Sequence, residues 1–422
     1  MSHLATLSAA LLAILFPLLA TAGESTGTSS AASGPVAAAP FADRLTGDWG
    51  GFRSTLAEHG LNFDLWVTET AMGMLQGTGD HSFRFGGRTD ALITLDTGKL
   101  GLWEGGATNT HLEIHYGDAP AFYGGGILAP NLALGVPLGG PNEVVASSLY
   151  FSQKLSDNAS FMIGKMNVID FLAADPFYGG WGSFRFMNLA FVAPVSGVLP
   201  PTIMGGVVNY TIKPITLTLM IYDPSDQTNE YWVDHLFSNG ANFNLAAKWT
   251  GELAGRATSF VVNGVYSTRD KLNLADSLLP PDLQERTKGG TWFVAAQFSH
   301  LLIESPEVPG KGLGIYGKAG FSDGDVNIFQ TFFTGGIAVH AMIPCRPDDT
   351  FGLGYFYYNF SDALQNAVQP VVRVDDEQGV ELYYDLALTR WLRVTADLQW
   401  IDPATGANQD VWLAGLRASI RF

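Results

Sequence analysis

The sequence predicts an all-β protein, a transmembrane antiparallel β-barrel of about 16 strands with a short N-terminal periplasmic helix. Three observations favour this class. The chain ends in a segment whose apolar residues recur at every second position. The only long apolar run lies at the N-terminus and is too short to cross a membrane as a helix. Short and long connections alternate along the rest of the chain, which is typical of outer-membrane barrels.

The last segment of the chain, Val411 to Phe422, gives the clearest strand signal. Its apolar row contains Trp412, Ala414, Leu416, Ala418, Ile420 and Phe422, and its polar or small row contains Gly415, Arg417, Ser419 and Arg421. In a barrel the first row meets lipid and the second lines the lumen. The terminal Phe and the alternation also resemble the signal that outer-membrane assembly machinery reads. The alternative interpretation is an amphipathic edge strand of a soluble protein.

The composition bounds the class further. The chain has 422 residues, of which 47% are hydrophobic and 15% charged, with a formal net charge of −17. So acidic a chain argues against nucleic acid as a partner. The single cysteine, Cys345, excludes a disulfide framework within the chain and is interpreted as a structural or bystander thiol. Closure of a barrel supplies stability in place of disulfides.

Four segments are predicted from the N-terminus onward. Residues 1–22 form a signal peptide, cleaved after Ala22 in an Ala-x-Ala site. Residues 23–40, rich in Ser, Thr, Ala and Gly, form a flexible linker. Residues 41–60 form a periplasmic segment with a short helix from Phe52 to His59. Residues 61–422 form the barrel.

Alternation predicts sixteen strands from Leu61 onward. They cover 61–75, 83–96, 106–118, 143–155, 160–168, 204–212, 215–222, 241–249, 256–266, 290–298, 313–321, 331–340, 351–360, 380–388, 391–401 and 411–422. Most are near the roughly 9–11 residues that a tilted membrane strand needs. Fourteen or eighteen strands remain open alternatives. Trp400 and Tyr384 lie in phase with the apolar rows of their strands, as interfacial aromatic residues do.

The connections between these strands differ in length according to their predicted side. Short periplasmic turns are expected at Ser156–Ala159, Lys213-Pro214, Thr250–Gly255 and Thr389-Arg390. Long outer loops are expected at 119–142, 169–203, 223–240, 267–289 and 361–379. Two periplasmic connections, 299–312 and 341–350, are longer than is usual for this side.

Four motifs carry a family resemblance. Leu45 to Arg53 reads LTGDWGGFR, Gly86 to Asp90 reads GGRTD, Gly164 to Phe171 reads GKMNVIDF, and Phe186 to Asn188 reads FMN. In this order and spacing they resemble the carbohydrate-selective porin family of the OprB type, over essentially the whole mature chain. The resemblance implies a 16-stranded outer-membrane barrel that passes glucose-like sugars by passive diffusion, with outer loops folded into its lumen. A general or cation-preferring porin without sugar selectivity is the alternative.

Alternation also predicts which polar side chains line the lumen. An Arg or Lys facing lipid near the midplane costs about 2–4 kcal/mol, so the second strand must turn Arg84, Arg88 and Asp90 inward. The third strand places His111, Glu113 and His115 on one face, because Leu112, Ile114 and Tyr116 occupy the other. Arg88 and Glu113 are therefore expected within reach of each other.

Arginine donors and carboxylate acceptors suit sugar hydroxyls, which both donate and accept hydrogen bonds. The resemblance implies that Arg88 and Glu113 match family positions at the pore constriction. The alternative is an ion-pair network that stabilises the wall. In the long 169–203 loop, Trp181 is predicted to stack on a sugar ring, unless the loop packs its own aromatic residues against the inner wall. The 119–142 loop is a second candidate constriction.

The sequence favours no other chemistry. His111, Glu113 and His115 would project to one side of a strand about 6–7 Å apart, which permits a metal, but lumen polarity explains the pattern. No metal or cofactor is expected. No G-x-S-x-G, P-loop or HExxH motif appears, so an enzyme is not expected. The expected partners are small sugars and the lipid and lipopolysaccharide of a Gram-negative outer membrane, with monomer and homotrimer both open.

Overall fold

The computed structural model describes residues 41–135, 142–172, 175, 185–193, 195–196, 198–230, 233, 235–284, 286–405 and 409–422. Short helices interrupt the connections between strands. They are α1 (Phe52–Glu58), α2 (Leu132–Gly135), α3 (Val168–Leu172), α4 (Leu189–Val192) and α5 (Asp362–Val368). Turns of 3₁₀ helix cover Trp49–Gly51, Leu274–Asp276 and Pro281–Leu283. None of the helices in the described part of the chain has the length and apolar character needed to cross a membrane. The predicted signal peptide and linker lie outside the described residues.

The strands form one closed barrel and one small hairpin. The barrel strands are β1 (Leu61–Gln76), β2 (Arg84–Asp96), β3 (Gly106–Gly117), β4 (Val144–Lys154), β5 (Ala159–Asn167), β6 (Thr202–Ile212), β7 (Ile215–Tyr222), β8 (Asn242–Leu253), β9 (Arg256–Ser267), β12 (Thr291–Glu304), β13 (Gly312–Ser322), β14 (Phe329–His340), β15 (Thr350–Phe360), β16 (Glu377–Ala387), β17 (Leu392–Asp402) and β18 (Val411–Arg421). Every neighbouring pair is antiparallel, and β1 pairs with β18 to close the cylinder. The hairpin joins β10 (Lys271–Leu272) to β11 (Thr287–Lys288). The predicted class of a 16-stranded antiparallel barrel is confirmed.

Two strands end at least four residues later than alternation predicted. The strand predicted at 241–249 continues to Leu253, and the strand predicted at 290–298 continues to Glu304. The end of the strand predicted at 290–298 was placed too early for a local reason. The register between β12 and β13 shifts between Leu301 and Ile303, and this shift interrupts the alternation of apolar and polar residues. The connection predicted as 299–312 is therefore only 305–311.

The two ends of the barrel differ in the length of their connections. One end, called here the short-turn end, carries the connections 97–105, 155–158, 213–214, 254–255, 305–311, 341–349 and 388–391. The opposite end, called the long-loop end, carries 77–83, 118–143, 168–201, 223–241, 268–290, 323–328, 361–376 and 403–410. This arrangement agrees with the predicted division into short turns and long loops.

The outer face of the barrel is apolar, as a lipid-facing surface requires. On β7 the exposed row consists of Ile215, Leu217, Leu219 and Ile221. Its neighbour β8 continues this surface with Phe243 and Leu245, which are also exposed. The buried polar residues of the strands occupy the opposite rows, so they face the lumen.

The N-terminal segment is bound to the short-turn end beside the β1–β18 seam. The guanidinium of Arg53 lies over the rings of Trp49 and Phe63, at 4.5 and 4.6 Å from their centroids, and donates to the carbonyl oxygen of Phe422. Asp48 accepts hydrogen bonds from the backbone N–H and hydroxyl of Ser54. The LTGDWGGFR motif thus has a structural role, because it attaches α1 to β1 and to the end of β18, the first and last strands of the barrel. The predicted short helix is confirmed, and a 3₁₀ turn precedes it.

Candidate functional site

A group of charged side chains forms on the inner wall where β2 and β3 pair. The register sets Asp90 directly opposite Glu113 and Arg88 opposite His115, while His111 faces Leu92. Two carboxylates directly opposite each other repel. Positively charged neighbours on the same face are needed to offset this repulsion. The alternation of side chains along both strands places Arg88 there.

The distances show a connected network. Arg88 Nε lies 2.6 Å from Asp90 Oδ1, and an Arg88 terminal nitrogen lies 3.3 Å from Glu113 Oε2. His111 Nε2 lies 3.0 Å from the same Asp90 oxygen. His115 Nε2 lies 3.3 Å from Glu113 Oε2. The predicted approach of Arg88 to Glu113 is therefore found.

Helix α3, at the start of the long 168–201 connection, covers this network. Asp170 accepts a hydrogen bond from Ser148 Oγ at 2.9 Å, and its other oxygen lies 3.1 Å from His111 Nδ1. Asn167, just before α3, donates to Glu113 Oε1 at 3.3 Å. The Arg88 cluster, as it is called below, consists of Arg88, Asp90, His111, Glu113, His115 and Asp170. The cluster thus joins the wall to the beginning of the longest loop.

Burial limits what the Arg88 cluster can contact. Arg88 is 4% exposed and Glu113 is 2% exposed. Their charged groups therefore contact each other and the neighbouring side chains instead of the solvent in the lumen. Among the described residues, Asp90, His111 and Glu113 form the one group whose ligand atoms lie close enough to hold a metal ion. The guanidinium of Arg88 already provides a cation between two of these carboxylates. The geometry therefore favours an ion-pair network in the wall.

The remaining predicted site residues lie apart from this core. Arg84 is half-exposed at the long-loop end and pairs with Asp80 and Asp118 at 2.8 and 3.1 Å. His115 belongs to the edge of the cluster, with 15% of its side chain exposed. Trp181 lies outside the described residues, so its stacking role stays a prediction.

A second set of contacts, which sequence reasoning missed, fixes the 185–193 segment to the inner wall. Glu381 on β16 accepts the backbone N–H groups of Met187 and Asn188, at 2.5 and 3.0 Å. Lys318 on β13 donates to the carbonyl oxygens of Phe191 and Val192, at 2.7 and 3.0 Å. Both wall residues thus bind loop backbone directly: Glu381 accepts two N–H groups and Lys318 donates to two carbonyl oxygens.

Aromatic packing reinforces the same attachment. Phe186 and Phe191 are fully buried, with ring centroids 4.6 Å apart. Phe186 meets the edge of Tyr383 at 4.8 Å, and Phe191 meets Phe356 at 5.6 Å. For these two rings the structure matches the alternative in which the loop packs its own aromatic residues against the wall.

The 118–143 connection is attached beside it. Glu377 on β16 accepts the backbone N–H groups of Ile127 and Leu128, at 2.6 and 2.9 Å. Gln399 on β17 donates to the carbonyl oxygen of Pro130 at 2.8 Å. The two loops also bond directly to each other. Leu132 N donates to the Met187 carbonyl at 2.7 Å, and Leu189 N donates to the Ala129 carbonyl at 2.9 Å.

The long connection touches strands on different sides of the barrel within a few residues. Asp170 contacts His111 on β3, whereas Asp175 accepts a hydrogen bond from Gln297 on β12 at 2.8 Å. In the closed order, β3 and β12 are separated by six strands in one direction and eight in the other. Five residues extend over at most about 18 Å. Asp170 and Asp175 thus contact strands on nearly opposite sides of the barrel although only four residues separate them.

A closed, lipid-faced barrel with a polar inner wall and loops bound to that wall defines a channel protein of the outer membrane. Comparison with known proteins narrows this class. The sequence model of the carbohydrate-selective porin, OprB family, matches residues 80–422. The chain belongs to this family. Channels of this kind are not enzymes.

Individual relatives agree with this assignment. The chain is similar to Porin B of Pseudomonas aeruginosa, with 23% identity over 453 aligned positions that cover 94% of this chain and 95% of the relative. It superposes on the high-pH structure of Pseudomonas putida OprB with a TM-score of 0.77 at 18% identity, covering 90% of this chain and 99% of the other. The outer-membrane channel DcaP of Acinetobacter baumannii gives a TM-score of 0.52 at 12% identity, over 86% of this chain and 97% of that one. At these identities the solved structures establish the fold.

Proposed function

We propose that this chain is a passive diffusion channel for glucose-like sugars, and that loops folded into the barrel narrow its lumen. The crossing from Asp170 on the β3 side to Asp175 on the β12 side carries the proposal. A segment held at both walls reduces the open cross-section between them. Substrate then passes where wall and loop leave space, down its concentration gradient and without a cofactor.

The chemistry of the narrowed region supports a polar, uncharged substrate. Sugar hydroxyls both donate and accept hydrogen bonds, and conduction requires sites weak enough for the substrate to leave. His115 and Asp170 are the members of the Arg88 cluster with the most exposed side chains, at 15% and 16%. They are proposed to meet the sugar, while Arg88, Asp90, His111 and Glu113 hold them in place. Trp181 is proposed to supply a stacking surface.

The orientation follows the usual rule for outer-membrane barrels. The short-turn end with α1 is assigned to the periplasm and the long-loop end to the exterior, where lipopolysaccharide surrounds the barrel. The signal peptide is proposed to end at Ala22. The lumen contacts require one chain, so monomer and homotrimer both accommodate this function.

Liposome swelling with purified, refolded protein tests the proposal. The wild type is compared for glucose and for uncharged non-sugar solutes of equal size, and the comparison is repeated with Arg88→Ala. Faster entry of glucose than of its matched solutes, and a smaller difference in the variant, are expected. Entry that depends on size alone, with no effect of the substitution, would identify a general diffusion pore. A reversal potential measured in a salt gradient would reveal a cation preference.

A further inference from the structure

A polar cavity lies across the barrel from the Arg88 cluster, at the short-turn end. It has a volume of about 220 Å³ and is lined by β8, β9, β12, β13 and β14, by the 305–311 turn and by Asp175. Pockets for drug-sized ligands measure roughly 300–1,000 Å³. The size of this cavity therefore suits a monosaccharide better than an oligosaccharide.

Two lysines supply the positive charge of the cavity. Lys248 enters from β8 and Lys311 from the 305–311 turn, and both are exposed. Among the described residues, neither ammonium has a hydrogen bond or a carboxylate partner. Lys318, by contrast, is buried and donates to two loop carbonyls. The cavity therefore holds two cationic groups that are available to a solute.

The other lining groups leave a positive excess. Among the described residues that line the cavity, Asp175 is the one carboxylate, and one of its oxygens already accepts a hydrogen bond from Gln297 at 2.8 Å. Two ammonium groups and one carboxylate give a formal charge of +1, in a chain whose total is −17. Ser259 and Ser299 add hydroxyl groups that both donate and accept. This combination complements a molecule with one negative charge and several hydroxyls.

We propose that this cavity, called the lysine pocket, is a transient binding site for monosaccharide acids, that is, hexose derivatives with a carboxylate. The carboxylate of the ligand pairs with Lys248 and Lys311. The sugar hydroxyls form hydrogen bonds with the hydroxyls of Ser259 and Ser299 and with the side-chain amide of Gln297. A neutral hexose leaves both ammoniums without a counter-charge and binds more weakly. This inference rests on the proposed function and extends its substrate class from neutral sugars to their acids.

Ion-current block in planar bilayers tests the proposal, with sodium gluconate, glucose and sodium acetate as probes at constant ionic strength. The half-blocking concentration of each probe is measured for the wild type and for the Lys248→Gln/Lys311→Gln double variant. The control is Lys213→Gln, an exposed lysine in a turn at the same end that does not line the cavity. Glucose-driven liposome swelling is measured in parallel.

Gluconate is expected to block the wild type at lower concentration than glucose or acetate. The double variant should raise the half-blocking concentration of gluconate at least about tenfold, because it loses both ammonium partners of the carboxylate and one charge-assisted hydrogen bond alone corresponds to about this factor. The half-blocking concentration of glucose in the double variant, and that of gluconate in Lys213→Gln, should equal the wild-type values. Equal block by gluconate and glucose, or an unchanged value in the double variant, overturns the proposal. Acetate block as strong as gluconate block also overturns it, because it indicates an anion site without sugar recognition. A failure of glucose selectivity in the swelling assay instead contradicts the proposed function.

Discussion

Removing the carboxylate of Glu381 is expected to loosen the 185–193 segment from the inner wall. Glu381 is completely buried and accepts the N–H groups of Met187 and Asn188. A buried donor that loses its acceptor costs about 1–3 kcal/mol. In Glu381→Ala the attached arrangement therefore becomes less stable by about 2–6 kcal/mol relative to a released one, in which water satisfies both N–H groups.

The remaining contacts decide how far the segment moves. Lys318 still bonds to two carbonyl oxygens, and the buried rings of Phe186 and Phe191 each contribute about 1.5–3 kcal/mol. Glu381→Ala alone should therefore populate both arrangements. Addition of Lys318→Met removes the second polar attachment and should favour release.

Single-channel conductance is the direct assay. Glu381→Ala is expected to fluctuate between a level like that of the wild type and a larger one, and Glu381→Ala/Lys318→Met to remain mostly at the larger level. Glu381→Gln is the matched control, because its amide oxygen keeps one acceptor and should retain the lower level. Circular dichroism verifies that each variant folds. A single level, identical in the wild type, Glu381→Ala and the double variant, would refute the assignment of this segment as the narrowing element.

Two further predictions concern stability. Arg88→Ala leaves two facing buried carboxylates without their guanidinium, so the free energy of unfolding should fall by about 3–5 kcal/mol in urea titrations, and Arg88→Lys should restore part of it. At the short-turn end, burial of the Asp349 carboxyl opposes ionisation, but hydrogen bonds from Arg346 and neighbouring groups outweigh it and lower the pKa of Asp349. The contribution to stability is therefore full above the ordinary carboxyl pKa of about 4 and is lost as pH falls through the lower folded-state pKa. Hydrogen-exchange protection of the 341–349 turn should follow this dependence, and Asp349→Asn should abolish it.

The wall was predictable because lipid imposes period two on every strand. The alternation of side chains along β2 and β3 is enough to predict that Arg88 and Glu113 face the lumen. Because the two strands are neighbours, the side chains come within 3.3 Å of each other. Strand ends were less predictable where a register shift breaks the alternation, as near Leu301 on β12. The sequence also shows that Glu381 lies on the lumen row of β16, opposite the apolar row with Leu382.

The partners of the wall charges were not predictable from the sequence. Glu381 binds backbone N–H groups almost two hundred positions earlier in the chain, and every residue except proline carries such a group. No side-chain pattern therefore marks the attachment point. The same holds for the carbonyl oxygens that Lys318 binds. Contacts between a side chain and distant backbone follow from the fold alone.

The difference between the wall, whose charged groups are already bonded, and the loops attached to it suggests how the lumen acquires selectivity for solutes. Three buried ionisable side chains of the wall, Arg88, Glu377 and Glu381, contact a carboxylate or loop backbone, so they are not free to meet a solute. Because these contacts involve loop backbone, loop side chains can change while the attachment is preserved. Loops placed on a rigid scaffold are where proteins commonly locate binding groups. Solute recognition is therefore expected to depend on the loop surfaces and on the exposed lysines of the opposite wall, with the charged wall fixing their positions.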